Sequence, residues 1–134
     1  MSQENVERLR EGFESFLAGQ SDFGTELLDP EVEWDGTDIG IPDLEGIYHG
    51  VEGVQRFWRT WLSSWETVLF EYELIDAGDQ VVALIAQRMR GRSTGIEVAF
   101  GKYAQLFTLR HGLIVHWKGY RSQADALEAA GLQG

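Results

Sequence analysis

Residues 68–120 read VLFEYELIDAGDQVVALIAQRMRGRSTGIEVAFGKYAQLFTLRHGLIVHWKGY, and apolar residues alternate with polar ones along most of this stretch. A period of two is typical of β-strands that have one buried face. Three glycine-containing segments interrupt the alternation with residues that favour turns. The stretch therefore predicts an antiparallel meander of four strands joined by short turns. The predicted strands are Val68–Ile75, Val81–Arg90, Ile96–Leu109 and Leu113–Tyr120.

The segments on either side of this stretch have helical periodicity instead. Residues 3–18 and residues 51–65 both place apolar side chains at helical spacing. Ser122, with Asp125 three residues later, predicts the start of a last helix that runs through Ala130. The other predicted elements are a short helix that begins after Ser21 and stops at Asp29-Pro30, a strand over Glu31–Asp35 and a loop over residues 36–49. Helices segregated from an antiparallel sheet indicate an α+β fold.

Length, charge and the lack of cysteine limit the classes of function. The 134 residues predict a single domain over residues 1–134. With 22 acidic and 11 basic residues the formal net charge is −11, so binding to nucleic acid is not expected, because phosphates are bound by clustered Lys and Arg. The sequence contains no cysteine, which excludes disulfides and thiolate metal sites and suits a reducing compartment. Without a long apolar run or a signal-peptide pattern, we expect a cytoplasmic protein that does not bind membranes.

Four sequence segments resemble the nuclear transport factor 2-like superfamily, and within it the SnoaL-like branch. They are Leu27–Trp34 (LLDPEVEW), Gly46–Val54 (GIYHGVEGV), Gly91–Gly95 (GRSTG), and Tyr120 followed by Ala126–Leu132 (ALEAAGL). The resemblance covers nearly the whole chain. It implies a cone-shaped barrel, in which N-terminal helices cover the concave face of a strongly bent antiparallel sheet and enclose a pocket. It also implies a convex face that pairs two chains.

The steroid isomerases of this superfamily provide a residue-by-residue comparison. Asp35 corresponds to their catalytic base, a carboxylate that moves a proton. Phe57 and Trp58 correspond to residues that line the steroid pocket. Phe13 and Gln105 stand where these enzymes have a tyrosine and a protonated carboxylic acid as oxyanion donors. Because neither original donor is present, steroid isomerisation itself is not expected.

Two other activities of the superfamily are disfavoured in the same way. A SnoaL-type polyketide cyclase uses an acid in its last strand, whereas residues 116–120 (HWKGY) contain none. A limonene-type epoxide hydrolase needs two acids and an arginine, with the acids on late strands, whereas Glu97 is the only acid on the last two predicted strands. The resemblance therefore predicts the fold and a pocket and leaves the reaction open.

Strand alternation predicts which side chains face that pocket. If Gln105 faces inward, every second residue of its strand does so as well, and the neighbouring strands follow the same rule. The inward set is Ala83, Ile85, Gln87 and Met89; Glu97, Ala99, Tyr103, Gln105, Phe107 and Leu109; and Val115, Trp117 and Gly119. Its polar members, Gln87, Tyr103 and Gln105, stand in an otherwise apolar wall, so they either bond one another or bind a ligand oxygen.

Asp35 is the leading candidate for acid–base catalysis. An apolar pocket mouth would raise its pKa and make it a usable base near neutral pH, with Gln105 or Tyr103 polarising a substrate oxygen. The alternative is that Asp35 caps the turn Gly36-Thr37-Asp38 and has no chemical role. No two of the three histidines share the spacing of metal ligands, so neither a metal nor a cofactor is expected.

These patterns together predict a protein that binds a small, largely apolar ligand. The predicted ligand-binding residues are Phe13, Phe57, Trp58, Ile85, Gln87, Met89, Phe107 and Trp117. An enzyme of this kind would be a cofactor-independent isomerase, cyclase or lyase that uses Asp35, Gln105 and Tyr103 on a carbonyl-containing substrate. The alternative is a non-catalytic ligand-binding or dimerisation domain.

A homodimer is also predicted. Val82, Leu84 and Ala86 face away from the pocket, and the last helix is expected to be too short to cover them. An uncovered apolar sheet face is a liability in a monomer, so we expect two chains to pair through it, flanked by Arg88 and Arg90.

Overall fold

In the part of the chain that the structure describes, six strands form one strongly curved, open sheet with three helices packed against it. The computed structural model describes residues 2–18, 25–39, 41 and 44–132. The strands are β1 (Leu28–Asp35), β2 (Ile47–His49), β3 (Trp65–Ala77), β4 (Gln80–Gly91), β5 (Glu97–Arg110) and β6 (Leu113–Tyr120), and the helices are α1 (Ser2–Leu17), α2 (Gly50–Ser64) and α3 (Gln123–Ala129). The strand order is β2-β1-β6-β5-β4-β3. The α+β class is therefore confirmed.

The predicted meander is present, because β3 to β6 pair with their neighbours in antiparallel fashion. The sheet as a whole is mixed, however, since β1 runs parallel to β6. A hairpin forces antiparallel pairing, but β1 and β6 are separated in sequence by β2, α2 and the first three strands of the meander, so a parallel pair is allowed. β2 and β3 lie at the two edges, and the sheet curls without closing into a full barrel.

The helices begin and end within one residue of their predicted bounds. The predicted cap of the last helix is present, since Ser122 Oγ accepts a hydrogen bond of 3.3 Å from the backbone N–H of Asp125. The predicted short helix falls partly outside the described residues, and what is described of it is a 3₁₀ turn over Thr25–Leu27. Among the described residues, no helix is long and apolar enough to cross a membrane.

The main core lies between the concave face of the sheet and helices α1 and α2. Leu9 and Phe13 of α1 and Phe57 of α2 are buried against it, as are Val32 and Trp34 of β1. Burying one such side chain contributes roughly 1.5–3 kcal/mol before the loss of conformational entropy is counted. The two helices therefore remain on the sheet because their apolar stripes have no other partner of comparable area.

The convex face is partly covered by α3, so the prediction that no helix shields it is wrong. Ala126 is fully buried against Val82, Ala104 and Leu106, in a second and smaller core. Gln123 Nε2 also donates a hydrogen bond of 3.2 Å to the backbone carbonyl of Tyr103. A helix of seven residues suffices here because alanine lets its backbone lie close to the sheet.

Two irregularities reverse the predicted alternation. On β5, Phe100 is an extra residue between the pairs Gln87–Gly101 and Arg88–Ala99. Glu97 consequently lies on the outer side, where it forms ion pairs of 3.2 Å with both Arg88 and Arg90. A β-bulge shifts all residues beyond it to the opposite face, so Glu97 is not in the pocket as predicted.

On β6, Val115 is the extra residue between the pairs Leu109–Ile114 and Thr108–His116. Ile114 is fully buried in the main core and takes the inward place predicted for Val115.

The connection between β1 and β2 is closed at its base by the hydrogen bond from Gly36 N–H to the carbonyl of Gly46, at 2.8 Å. A Cβ on Gly36 would lie 2.7 Å from the carbonyl oxygen of Leu44. Leu44 is itself almost fully buried, so this carbonyl is not free to move. A residue without a side chain is therefore required at position 36.

We expect Gly36→Ala to lower the free energy of unfolding by about 1–3 kcal/mol, because the added methyl group collides with backbone and displaces Leu44 from the core. Urea denaturation followed by tryptophan fluorescence measures this change. A shift smaller than about 0.5 kcal/mol, the usual range for a surface substitution, would contradict the close approach.

Candidate functional site

The concave side of the sheet encloses a cavity of about 330 Å³. The sheet forms one wall, α1 and α2 form the second, and the connection between β1 and β2 closes the third. The described residues that line it are Phe13, Phe16, Trp34, Ile39, Ile41, Leu44, Phe57, Trp58, Trp61, Phe70, Gln87, Tyr103, Gln105, Phe107, Trp117, Gly119, Tyr120 and Arg121. The volume lies at the lower end of the range for small-molecule sites, roughly 300–1,000 Å³.

Aromatic rings dominate the wall, since they are 11 of its 18 described residues. Trp34 and Trp117 stack face to face, with ring centres 4.4 Å apart and planes inclined by 6°. Phe57 packs its edge against Trp117 at 5.6 Å. Rings in such stacked and edge-on pairs hold one another in place, so the cavity has rigid, flat surfaces suited to a flat apolar ligand.

Most of the residues predicted for the site, whether from the resemblance or from strand alternation, do lie on this wall. Phe13, Phe57, Trp58, Gln87, Tyr103, Gln105, Phe107 and Trp117 all line the cavity. Ile85 and Met89 do not; both are fully buried in the core. Ile85 stands between the longer side chains of Tyr72 and Tyr103 on the neighbouring strands. Met89 packs beneath Gln87, with its sulfur 2.9 Å from the Gln87 amide nitrogen.

Two of the three polar residues predicted for the wall satisfy each other. The Tyr103 hydroxyl donates to Gln87 Oε1, and Gln87 Nε2 donates to Thr67 Oγ1 at 3.3 Å. Burial raises the pKa of Tyr103, so its hydroxyl stays neutral and remains a donor. This pair corresponds to the self-bonded alternative, and it leaves little capacity for a ligand.

Gln105 is the third polar wall residue, and it differs from the other two. Its side chain has no hydrogen-bond partner among the described residues, although only 7% of the residue is exposed. Its amide atoms are not among the polar atoms that are fully shielded and unpaired, so they face open space in the cavity. The sheet therefore holds an amide without a protein partner against the cavity, where a ligand could form a hydrogen bond with it.

Asp35 does not line the cavity. On β1 the large apolar residues Val32 and Trp34 are buried, so Glu33 and Asp35 take the opposite face. Asp35 Oδ1 accepts hydrogen bonds from the Thr37 backbone N–H at 2.9 Å and from the Thr37 hydroxyl at 2.6 Å. The carboxylate therefore has the turn-capping geometry that the alternative interpretation describes.

The predicted rise in the pKa of Asp35 is wrong. Partial burial alone would raise this pKa, but the two hydrogen bonds from Thr37 and the charge of Lys118 outweigh burial and lower it below its ordinary value. Lys118 Nζ lies 3.6 Å from Asp35 Oδ2 and 3.0 Å from Asp38 Oδ2. The catalytic role of Asp35 stays a prediction, but the group is a weaker base than that role requires.

Sequence reasoning missed two features of this region. Lys118 meets Asp35 because the two residues are paired in the parallel β1–β6 register, which local periodicity does not reveal. Trp34 was detectable, because Val32 and Trp34 alternate as the large apolar residues of a short strand and so mark its buried face.

Ile39 and Gly119 meet at the mouth of the cavity. Ile39 Cγ2 occupies the space in which a Cβ on Gly119 would stand. The lack of a side chain at position 119 therefore lets the β1–β2 connection lie directly on β6. Arg121, an exposed residue, is the one charged side chain among the described lining residues.

Within the described ranges, no group of three or more His, Cys, Asp or Glu side chains is arranged to hold a metal ion. His116 Nε2 lies 3.4 Å from Glu33 Oε2 on the outer face, and Lys118 bridges Asp35 and Asp38 as above.

Comparisons with known proteins agree with this architecture. A family model described as the SnoaL-like domain matches residues 6–117. No curated protein sequence matches the chain. An NTF2-like protein of unknown function from Burkholderia pseudomallei superposes with a TM-score of 0.77 at 23% identity, covering 93% of this chain and 95% of the other.

Two further solved structures are also similar. A protein from Bacillus subtilis, provisionally described as an isomerase, superposes with a TM-score of 0.74 at 17% identity, covering 98% of this chain and 95% of the other. TerC, co-crystallised with polyporic acid, superposes with a TM-score of 0.72 at 18% identity, covering 96% of this chain and 98% of the other. Identities this low carry the fold and not the activity.

We expect Asp35→Asn to destabilise the protein at pH 7 by about 1 kcal/mol, because asparagine keeps part of the cap but loses the attraction to Lys118. A carboxylate with a lowered pKa adds stability above its ordinary value of 3.8, and this stability is lost as the pH falls through the lowered pKa. The difference between the variant and the wild type should therefore disappear under strongly acidic conditions.

Urea denaturation at a series of pH values tests this prediction. Asp38→Asn is the matched control, since Asp38 also contacts Lys118 but its side chain is 58% exposed, and its effect should be smaller. A variant that is more stable than the wild type at pH 7 would instead indicate a desolvated carboxylate with a raised pKa.

Proposed function

The chain belongs to the SnoaL-like domain family, and on that premise we propose that it binds a small, largely aromatic molecule with a carbonyl oxygen in its internal cavity. The observation that carries this proposal is the free amide of Gln105, held without a partner in a wall made mainly of rings. The rings offer flat apolar contact, and the amide offers one directional hydrogen bond. A few polar groups in an apolar cavity are the usual composition of a specific small-molecule site.

The charge of the wall supports a neutral ligand. Apart from Arg121 at the rim, the described lining residues carry no formal charge at pH 7. The hydroxyl of Tyr103 stays protonated because burial raises its pKa. A neutral lining of this kind gives no strong attraction for sugar phosphates or nucleotides, which are bound through charged donors. The ligand of TerC, polyporic acid, shows that a protein of this fold holds a small organic molecule.

Binding is better supported than proton transfer. An isomerase or cyclase needs an acid or base within hydrogen-bond reach of the reacting atom. Asp35, the predicted base, faces away from the cavity and is held by Thr37 and Lys118. In a cofactor-independent isomerase of this design, Gln105 would polarise the substrate oxygen while the proton acceptor came from another group.

The homodimer also belongs to this proposal. α3 covers Val82, whereas Leu84 and Ala86 remain partly exposed beside it, and Leu69 on the outer side of β3 is 41% exposed. Arg90 bridges Glu66 and Glu97 on the same face. A second copy of the chain would cover this apolar strip between charged rows.

Light scattering at micromolar concentration tests the homodimer, and we expect about twice the chain mass of 15.1 kDa. Leu84→Glu, which places a charge in the strip, should give the monomer without changing ligand binding, because Leu84 does not line the cavity. A wild-type species at the mass of one chain would overturn the dimer and leave the ligand site untouched.

For the cavity itself, we expect 1-tetralone, a small fused-ring aromatic ketone, to bind and to raise the melting temperature. Gln105→Leu should weaken this binding by about five- to tenfold, which is the loss of one hydrogen bond. The same variant without ligand should be within about 0.5 kcal/mol of the wild type, because the amide atoms are not fully shielded from solvent and form no bond within the protein.

Isothermal titration calorimetry and urea denaturation provide the two measurements. Gln55→Leu on α2, whose side chain does not line the cavity, is the matched control and should leave the affinity unchanged. Stabilisation by nucleotides or sugar phosphates, with none by 1-tetralone, would contradict the proposed class of ligand.

A further inference from the structure

The mouth of the cavity carries a charge that its interior lacks. Arg121, the first residue after β6, is the one charged side chain among the described residues of the lining. It is exposed, and within the described ranges its guanidinium forms no ion pair and no hydrogen bond. Arginine stays protonated at physiological pH. The cavity therefore ends in a permanent positive charge that no described group neutralises.

Two acids beside the β1–β2 connection, which closes this side of the cavity, are paired with a different cation. Lys118 Nζ lies 3.0 Å from Asp38 Oδ2 and 3.6 Å from Asp35 Oδ2. The side chain of Lys118 points to the outer face, because its two neighbours in the strand line the cavity. Lys118 thus holds the connection from outside, and Arg121 is left at the opening.

Arg121 and the amide of Gln105 belong to the same wall. Gln105 of β5 is directly opposite Gly119 of β6, and Arg121 follows that glycine by two residues. Residues two apart in an extended chain share a face, and diagonal neighbours on paired strands are about 7–8 Å apart. Both residues line the cavity, in agreement with this rule. The wall therefore offers a neutral amide inside and a positive charge at the mouth, at a separation that a two-ring molecule can span.

We propose that Arg121 is a specificity-determining residue, which selects ligands with a carboxylate at the end opposite the oxygen bound by Gln105. This inference rests on the proposed function and extends it to the mouth of the cavity. The part of the ligand inside the neutral wall is uncharged, and only the carboxylate reaches the opening. The class of ligand is therefore an aromatic keto acid.

A carboxylate suits this position for two reasons. The guanidinium presents paired N–H donors whose spacing matches the two oxygens of a carboxylate. One guanidinium also balances one negative charge, whereas a phosphate monoester carries nearly two at pH 7. In a chain of net charge −11, the uncompensated second charge of a phosphate would be repelled.

The most direct experiment compares two matched ligands on the wild-type protein. They are 1-tetralone-6-carboxylate, which has its carboxylate at the far end of the rings from the carbonyl, and 1-tetralone-6-carboxamide, which has the same shape and no charge. By isothermal titration calorimetry the carboxylate should bind about three- to fivefold more tightly, which is the gain expected of a partly exposed ion pair. The difference should disappear in 1 M NaCl, where charges are screened within about 3 Å.

A charge-matched pair of variants assigns this preference to one residue. Arg121→Gln should weaken the carboxylate about three- to fivefold and change the affinities for the carboxamide and for 1-tetralone by less than twofold. Arg59→Gln on α2 is the control, because it removes the same charge from an exposed position that does not line the cavity. It should leave the preference for the carboxylate unchanged.

A spectroscopic measurement reports on the contact itself. In ¹H–¹⁵N spectra of the arginine Nε–H groups, the Arg121 signal is assigned by its absence from the spectrum of Arg121→Gln. It should shift when the wild-type protein binds the carboxylate and stay near its original position with the carboxamide.

The outcomes separate this inference from the proposed function. If the carboxylate and the carboxamide bind the wild type equally well, or if Arg121→Gln keeps the preference, the role of Arg121 is overturned while binding in the cavity stands. If 1-tetralone binds and neither derivative does, the inference is overturned as well, because the mouth has no room for a second group. If none of the three compounds binds, the proposed function itself fails. The comparison on the wild type decides the question even if Arg121→Gln does not fold.

Discussion

The parallel pairing of β1 with β6 is the contact on which the rest of the structure depends. Three consecutive pairs, Glu33–His116, Trp34–Trp117 and Asp35–Lys118, align in this register. Because side chains alternate across a sheet, the middle pair faces the core and the outer two face away. One short ladder thus creates the stacked indoles of the cavity wall and the ion pair of Lys118 with Asp35 on its outer surface. It also brings α2 and the β1–β2 connection over the concave face.

The local pattern of the sequence was sufficient for the meander and the helices. Four alternating runs separated by glycine-containing turns are compatible with few folds other than a meander. The apolar stripes of α1 and α2 in turn need a large apolar surface to pack on. Once Gln105 is assumed to face inward, alternation places Tyr103, Phe107 and Trp117 in the cavity as well. The same rule fails for the residues before Phe100 on β5 and at Val115 on β6. A single extra residue reverses the facing of the side chains on its far side from Gln105 or Trp117, and it has no signature in the alternation itself.

Periodicity along the sequence does not predict contacts between residues that are far apart in the chain. The lowered pKa of Asp35 depends on Lys118, which lies 83 positions later and becomes a neighbour only through the parallel register. The cover of the convex face depends on how closely α3 approaches, and that in turn depends on the small side chain of Ala126. Composition indicates that such contacts exist, but only the three-dimensional pairing says which residues make them. The comparison with the steroid isomerases predicted that Asp35 stands at the end of the first strand and faces the pocket. It does end β1, but its side chain faces away from the cavity.

At the contact of Ile39 with Gly119, the size of the cavity depends on a residue that belongs to neither the sheet nor the helices. One side of the cavity is formed by an irregular connection, and irregular connections tolerate substitutions that strands and helices do not. A smaller residue at position 39 would enlarge the chamber, and a larger one would shrink it, with no change in the hydrogen bonds of the sheet. Selection could therefore retune the size of the accepted molecule one methyl group at a time. In such a protein, the stability of the fold and the specificity for a ligand can evolve independently of each other.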